Sequence, residues 1–189
     1  KVTFLGLLIA FGINSTVLAQ GEAAVPFLLI APDSRGGGIG ESGAGLADNS
    51  SAVFWNPAGI AFLTGQEFSF THSNWLPQFK LDLFYDYATY RNYIEELVGS
   101  VTASVTYMNY GEFVRTGPDS PDPLGTFRSF DMAVTAGYAT KLSDDWGLGV
   151  NLRLIHSRLS DQPTGQEQGT GTATSVSLDL GFMWRPTSL

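Results

Sequence analysis

Three glycines, Gly38, Gly40 and Gly43, stand at the spacing G-x-G-x-x-G within PDSRGGGIGESGAG, residues 32–45. In an α/β protein that spacing cradles a dinucleotide pyrophosphate: the glycines allow a tight turn and a close backbone approach, and a helix opening at the last one aims its N–H groups at the phosphates. The chemistry requires a buried strand running into the first glycine and a crossover helix leaving the last. Upstream, Pro32, Asp33, Ser34 and Arg35 read as a turn after a short apolar run, Phe27 to Ile30. Downstream, a turn cluster at residues 48–51 and then Pro57 leave little room for a helix. The spacing does not predict a nucleotide site, and the glycines need another role.

Hydrolytic chemistry would need Ser and His on one strand face or meeting across strands. His156 has Arg158 at its same-face position and His72 has Asn74, and no paired carboxylates flank a legible cleft. Both histidines read as rim or girdle residues, and no catalytic, cofactor-binding or metal-ligating residues are expected. The chain has no cysteine, which excludes a disulfide framework and thiolate metal sites. Its 18 acidic residues are scattered, and its 10 basic residues form no cluster, so phosphate neutralisation on a nucleic acid is not expected.

The elements that would hold any site follow from patterning. Residues 1–19 have one cation, Lys1, an apolar run from Val2 to Ile13, and small residues at Val17 and Ala19, the build of a secretory signal peptide. No later stretch approaches the roughly 18 apolar residues of a membrane helix, so a membrane-integral form would have to be a β-barrel. From residue 66 the chain alternates with period two. After a short segment around QEFSFTHS, the segment FKLDLFYDY sets Phe79, Leu81, Leu83, Tyr85 and Tyr87 against Lys80, Asp82, Phe84 and Asp86. Next, Val101, Ala103, Val105 and Tyr107 face away from Thr102, Ser104 and Thr106, and Phe130, Met132, Val134, Ala136 and Tyr138 from Asp131, Ala133, Thr135 and Gly137. The last two segments set Trp146, Leu148, Val150, Leu152 and Leu154 against Gly147, Gly149, Asn151 and Arg153, and Val176, Leu178, Leu180, Phe182 and Trp184 against Ser175, Ser177, Asp179, Gly181 and Arg185.

A soluble antiparallel sandwich also alternates. The polar faces here are rich in Gly, Ser, Thr and isolated charges, which suits a crowded or wet lumen. Aromatics sit near the ends of the apolar faces, where an interfacial girdle would lie. The fold class expected is therefore all-β, an antiparallel transmembrane β-barrel of which about six strands are present. Connections NWLPQ, RNYIEELVG, GEFVRTGPDSPDPLGT, KLSDD and SDQPTGQEQGTGT alternate in length so as to place the N-terminus in the periplasm. Six strands do not close a barrel, since the smallest have eight, so the chain reads as the N-terminal part of a longer one. Asp131, Arg153 and Asp179 are the expected lumenal polar residues, with Arg153 contacting Asp131 or Asp179.

Residues 25–63 carry an apolar lead-in, then APDSRGGGIGESGAG, then WNPAGIA, and NWLPQFKLD follows the first strand. This ordered set resembles the PorV/PorQ family of the type IX secretion system, itself related to FadL-like outer-membrane barrels. The resemblance implies a barrel of about fourteen strands in the bacterial outer membrane, with residues 20–65 forming a Gly-rich hatch and 66–189 part of the barrel. Arg35, Gly38, Gly40, Gly43, Asn56 and Pro57 would be hatch residues, with Asn56-Pro57 as a rigid turn into the first strand. It also implies a non-enzymatic role: binding secreted cargo through its C-terminal β-domain and passing it to the attachment machinery. Partners would be outer-membrane lipid, type IX translocon and attachment-complex proteins, and the cargo domains. A FadL-like transporter of long-chain fatty acids or other hydrophobic compounds is the alternative. Trp75, Leu76 and Pro77 are candidates for a partner-binding loop, and equally read as a girdle tryptophan and a turn proline.

Overall fold

A computed structural model describes residues 25–79, 81–116, 122–160 and 171–186. The expected leader, residues 1–19, and the centre of the SDQPTGQEQGTGT connection lie outside them. The ordered sheet is a six-stranded antiparallel meander, β1 to β6 side by side in chain order. The strands are β1 (Gln66–Asn74), β2 (Phe84–Ile94), β3 (Gly99–Thr116), β4 (Pro123–Lys141), β5 (Trp146–Arg158) and β6 (Thr172–Trp184). Among the described residues no helix is long and apolar enough to cross a membrane.

Pairing each strand with its sequence neighbour fixes the faces, because a one-residue slip would exchange them. Val134 lies opposite Leu154, and Leu154 opposite Val176, while Thr135 lies opposite Arg153, and Arg153 opposite Ser177. One face therefore exposes a field of large apolar side chains, with Leu180 67% and Phe182 62% exposed. The opposite face carries buried Thr102, Ser104, Thr106, Asp131, Thr135 and Asn151. It is covered by the N-terminal segment, so the more polar face of the sheet is its inner one.

That segment is built of short turns: α1 (Ser34–Gly38), α2 (Gly43–Leu46), α3 (Ala52–Trp55), and 3₁₀ turns Pro26–Leu29 and Pro57–Phe62. Polar side-chain caps start two of them. The Asp33 carboxylate accepts from Gly36 N–H at 2.6 Å, and the Asn56 carbonyl oxygen accepts from Ala58 N–H at 3.1 Å, with Pro57 at the first helical position. Two apolar clusters fasten the segment to the sheet. One joins Ala47, Ala52, Val53, Ala58, Ile60 and Ala61 to Ala139 and Met183; the other sets Phe27 among Tyr85, Tyr87, Met108, Ala133 and Ile155.

Three sequence expectations are corrected here. The second strand does not start at Phe79: Leu81 and Leu83 precede it, and Tyr85 and Tyr87 point inward, 2% and 1% exposed, around Phe27. Their rings fill the space beside the segment, a demand that the alternation of FKLDLFYDY does not reveal. Arg91 to Ile94, read as connection, continue β2, with inward Arg91 paired to Glu67 at 2.9 Å. The long connection after the third strand is mostly ladder. Glu112 to Thr116 pair with residues 123–128 beyond a bulge, where Gly111 takes φ 83°.

Candidate functional site

The feature that could carry function is the contact between the N-terminal segment and the inner sheet face. Its floor is made of glycine. A Cβ at Gly147 would stand 2.7 Å from the Ala58 carbonyl oxygen, and one at Gly149 would stand 2.5 Å from the Ala58 nitrogen. Gly181 faces Gly149 across the β5–β6 ladder and lies beneath Asn56 and Pro57. At Gly147 and Gly149 backbone thus rests on backbone, while at Gly181 the Asn56 side chain and the Pro57 ring take the space, and a side chain at Gly147 or Gly149 would lift the Pro57–Phe62 turn.

Hydrogen bonds tie the segment to strands on both sides of the sheet. Asn56 Nδ2 donates to the Phe182 carbonyl on β6 at 3.1 Å while its oxygen caps Ala58. Asn151 Nδ2 on β5 donates to the Val53 carbonyl at 2.8 Å, a fully buried bond. Thr89 Oγ1 on β2 donates to the Ser50 carbonyl at 3.2 Å, and Ser50 Oγ donates to Glu67 on β1 at 3.2 Å. Arg185, just past β6, donates to the Leu46 carbonyl.

Within the segment, Arg35 grips Asp48 through two N–H groups, at 2.5 and 2.9 Å. That hydrogen bond, with the guanidinium charge, holds the Asp48 carboxyl below the usual carboxylate range and raises Arg35. Trp55 Nε1 donates to Asp33 Oδ2 at 3.1 Å. The Trp55 ring occupies the space left by Gly36 and Gly43, where an added Cβ would sit 2.6 and 2.5 Å from ring atoms. Gly43 is therefore required by an indole. Gly40 is required by its backbone, at φ 68°, and Gly38 closes α1 with open space where its Cβ would be.

Of the polar trio, the structure brings together Arg153 and Asp179, Nη2 to Oδ2 2.9 Å, and Arg153 Nε donates to Thr135 at 3.3 Å. Asp131 is elsewhere: the register sets it opposite Ser157, and it accepts from the Tyr110 hydroxyl at 2.7 Å. A pocket of about 450 Å³ borders Arg153, Asp179, Trp55 and Asn56, and an apolar one of about 370 Å³ borders Val25, Ile155, Leu159 and Ala173. Trp75, Leu76 and Pro77 lie in the β1–β2 connection. Trp75 N–H donates to the Leu83 carbonyl at 2.9 Å, and Leu76 is exposed at φ 50°. Sequence reasoning missed Trp55, Asn151 and the floor glycines as site residues. The signal was present in Gly147 and Gly149, spaced by two on the inward side of one strand.

Among the described residues there is no group of three or more His, Cys, Asp and Glu placed to hold a metal. What the arrangement does is hold the N-terminal segment against the sheet. An antiparallel meander that turns apolar side chains outward, polar ones inward, and seats an irregular segment on the inner face has the organisation of a barrel wall. The chain belongs to the PorV family: the model of that family, type IX secretion system protein PorV, matches residues 16–187, nearly the whole chain. No curated protein matches it. The family is that of an outer-membrane component of the type IX secretion system, a secretion component and not a known enzyme family.

Proposed function

We propose that this chain is part of the wall of an outer-membrane barrel whose residues 20–65 act as a fixed plug, and that the protein carries cargo rather than conducting solutes. On this reading it receives secreted proteins through their C-terminal β-domain from the translocon and delivers them to the attachment machinery. The observation that carries it is the seat of the described part of the segment on the inner face: tethers run to β1, β2, β5 and β6, Gly147 and Gly149 let backbone lie on backbone, and Gly181 leaves room for the Asn56 side chain and the Pro57 ring. A hatch that opens would have to break all of these together. Arg153, Asp179 and Asp131 would line the lumen, and Trp75, Leu76 and Pro77 would offer an exposed apolar loop to a partner.

A second reading has its own support. The apolar pocket beside Val25, Ile155 and Leu159 would suit a long-chain fatty acid or another hydrophobic compound, as in a FadL-like transporter. Deleting the full-length gene and assaying two phenotypes side by side separates them. Lost surface display of proteins bearing the C-terminal β-domain, with fatty-acid uptake unchanged, is the expected result. Intact display with impaired uptake overturns the carrier reading in favour of transport.

A further inference from the structure

Across five strands the outward face carries a continuous row of rings. His72, Phe84, Tyr107, Phe130 and His156, one each from β1 to β5, have successive centroids 5.6, 5.9, 5.6 and 5.9 Å apart. At the other end of the strands Trp146 and Trp184 stack, with 6.2 Å between centroids. Trp146 to His156 is ten residues along β5. At about 3.3 Å per residue and a tilt near 40°, that is about 25 Å of height, the thickness of a lipid-facing band. The ring row therefore marks one boundary of the acyl layer. The β3–β4 hairpin, whose strands outrun the band, and the β5–β6 connection rise from this end, the extracellular side of an outer-membrane barrel.

Just beyond the row stand two exposed arginines. Arg158 is the next outward residue on β5 after His156, about 5 Å further from the band, and lies opposite Phe130; Arg128 is the next outward residue on β4. Arg35, Arg91, Arg153 and Arg185 each donate to a carboxylate or a carbonyl, whereas Arg128 and Arg158 have no hydrogen bond or ion pair among the described residues. Glu112 lies opposite Arg128 in the ladder and forms no ion pair with it. Diagonal neighbours on a sheet face stand about 7 Å apart, so two like charges there repel unless an anion sits between them. We propose that Arg128 and Arg158 grip a phosphate of a phosphorylated glycolipid of the outer leaflet, of the lipid A class, a site that rests on the barrel-wall reading. A guanidinium binds phosphate through paired N–H groups. Acyl chains of the same molecule lie on Phe130, Leu154 and Val176 directly below, the last two 51% and 61% exposed, a surface from which a free phosphate gains nothing.

The full-length protein in detergent is titrated with lipid A, with lipid A stripped of its phosphates, and with inorganic phosphate, and the complexes are measured by native mass spectrometry. Lipid A should bind more tightly than either of the others. Arg128→Gln combined with Arg158→Gln should weaken lipid A on the order of tenfold and leave the stripped lipid unchanged. Lys141→Gln, at the opposite end of β4, should change neither. Folding of each variant is checked by heat-modifiable gel mobility. Should the double variant fail to fold, Arg158→Lys replaces it: an ammonium is a point charge without the paired N–H groups, so lipid A should again weaken. Equal binding of intact and stripped lipid, or full affinity in the arginine variants, overturns the site, and inorganic phosphate matching lipid A overturns a lipid as its ligand. A benzophenone amino acid at position 152, irradiated in outer-membrane vesicles, tests the reading beneath the proposal. Acyl-chain adducts are expected there, and their absence overturns the barrel wall itself, whatever the arginines bind.

Discussion

Gly149→Ala adds one methyl where the segment meets the wall. That carbon would stand 2.5 Å from the Ala58 nitrogen and 2.6 Å from the Pro57 carbonyl oxygen, against the roughly 3.3–3.5 Å that such contacts tolerate. Both neighbours are backbone, so the Pro57–Phe62 turn has to lift by about 1 Å. The lift would stretch the 3.1 Å bond from Asn56 to Phe182 beyond hydrogen-bonding reach. Overpacking costs about 1–3 kcal/mol and the lost hydrogen bond about 1 kcal/mol, so the loss should be about 3 kcal/mol. Gly45→Ala is the control, since nothing lies within 4 Å of its added Cβ, and it should stay within about 0.5 kcal/mol of the parent. Urea unfolding of the full-length protein in detergent, followed by tryptophan fluorescence and gel mobility, measures both. If the two variants unfold together, the backbone-on-backbone seat described above is wrong.

Further expectations can be checked with the same preparation. Trp55→Ala should cost about 3 kcal/mol, because the ring fills the space over Gly36 and Gly43 and holds Asp33; Gly43→Ala should damage the same contact, and a double-mutant cycle should show strong coupling. Because Arg35 holds Asp48 below its ordinary range, the pair stabilises the fold above the unfolded carboxylate value near 4, and that stabilisation is lost as pH falls through the lowered folded value. Unfolding followed from pH 7 to 3 should therefore decline more steeply in the parent than in Asp48→Asn, and equal slopes would refute the pairing. On the outward face, Leu178→Arg should weaken insertion into vesicles by about 2–4 kcal/mol, against about 0–1 kcal/mol for Thr172→Arg near the strand end, measured by refolding yield.

The all-β class and the faces of β3 to β6 were legible in the sequence, because a strand side chain has only two directions and apolar residues there keep to alternate positions over Val101–Tyr107, Phe130–Tyr138, Trp146–Leu154 and Val176–Trp184. Alternation was ambiguous where both faces accept aromatics. Tyr85 and Tyr87 look lipid-facing beside Leu81 and Leu83, yet they turn inward into the buried cluster that Phe27, some sixty residues earlier, shares with them. The continuation of β3 and β4 beyond Gly111 was hidden by turn-rich composition, which a bulge accommodates without ending the ladder.

By itself the sequence determined which residues alternate in β3 to β6, and that Gly38, Gly40 and Gly43 lack the neighbours of a phosphate loop. Only the tertiary structure decided what each glycine is for: Gly43 makes room for Trp55, and Gly149 and Gly181 make room for Asn56 and Pro57. The physical reason is that alternation is a local property, set by the two directions open to a strand side chain. The need for an absent Cβ is set by whichever distant backbone comes to rest there, and that depends on the register of β5 and β6 and on the Asn56 and Asn151 bonds that draw the segment down onto them.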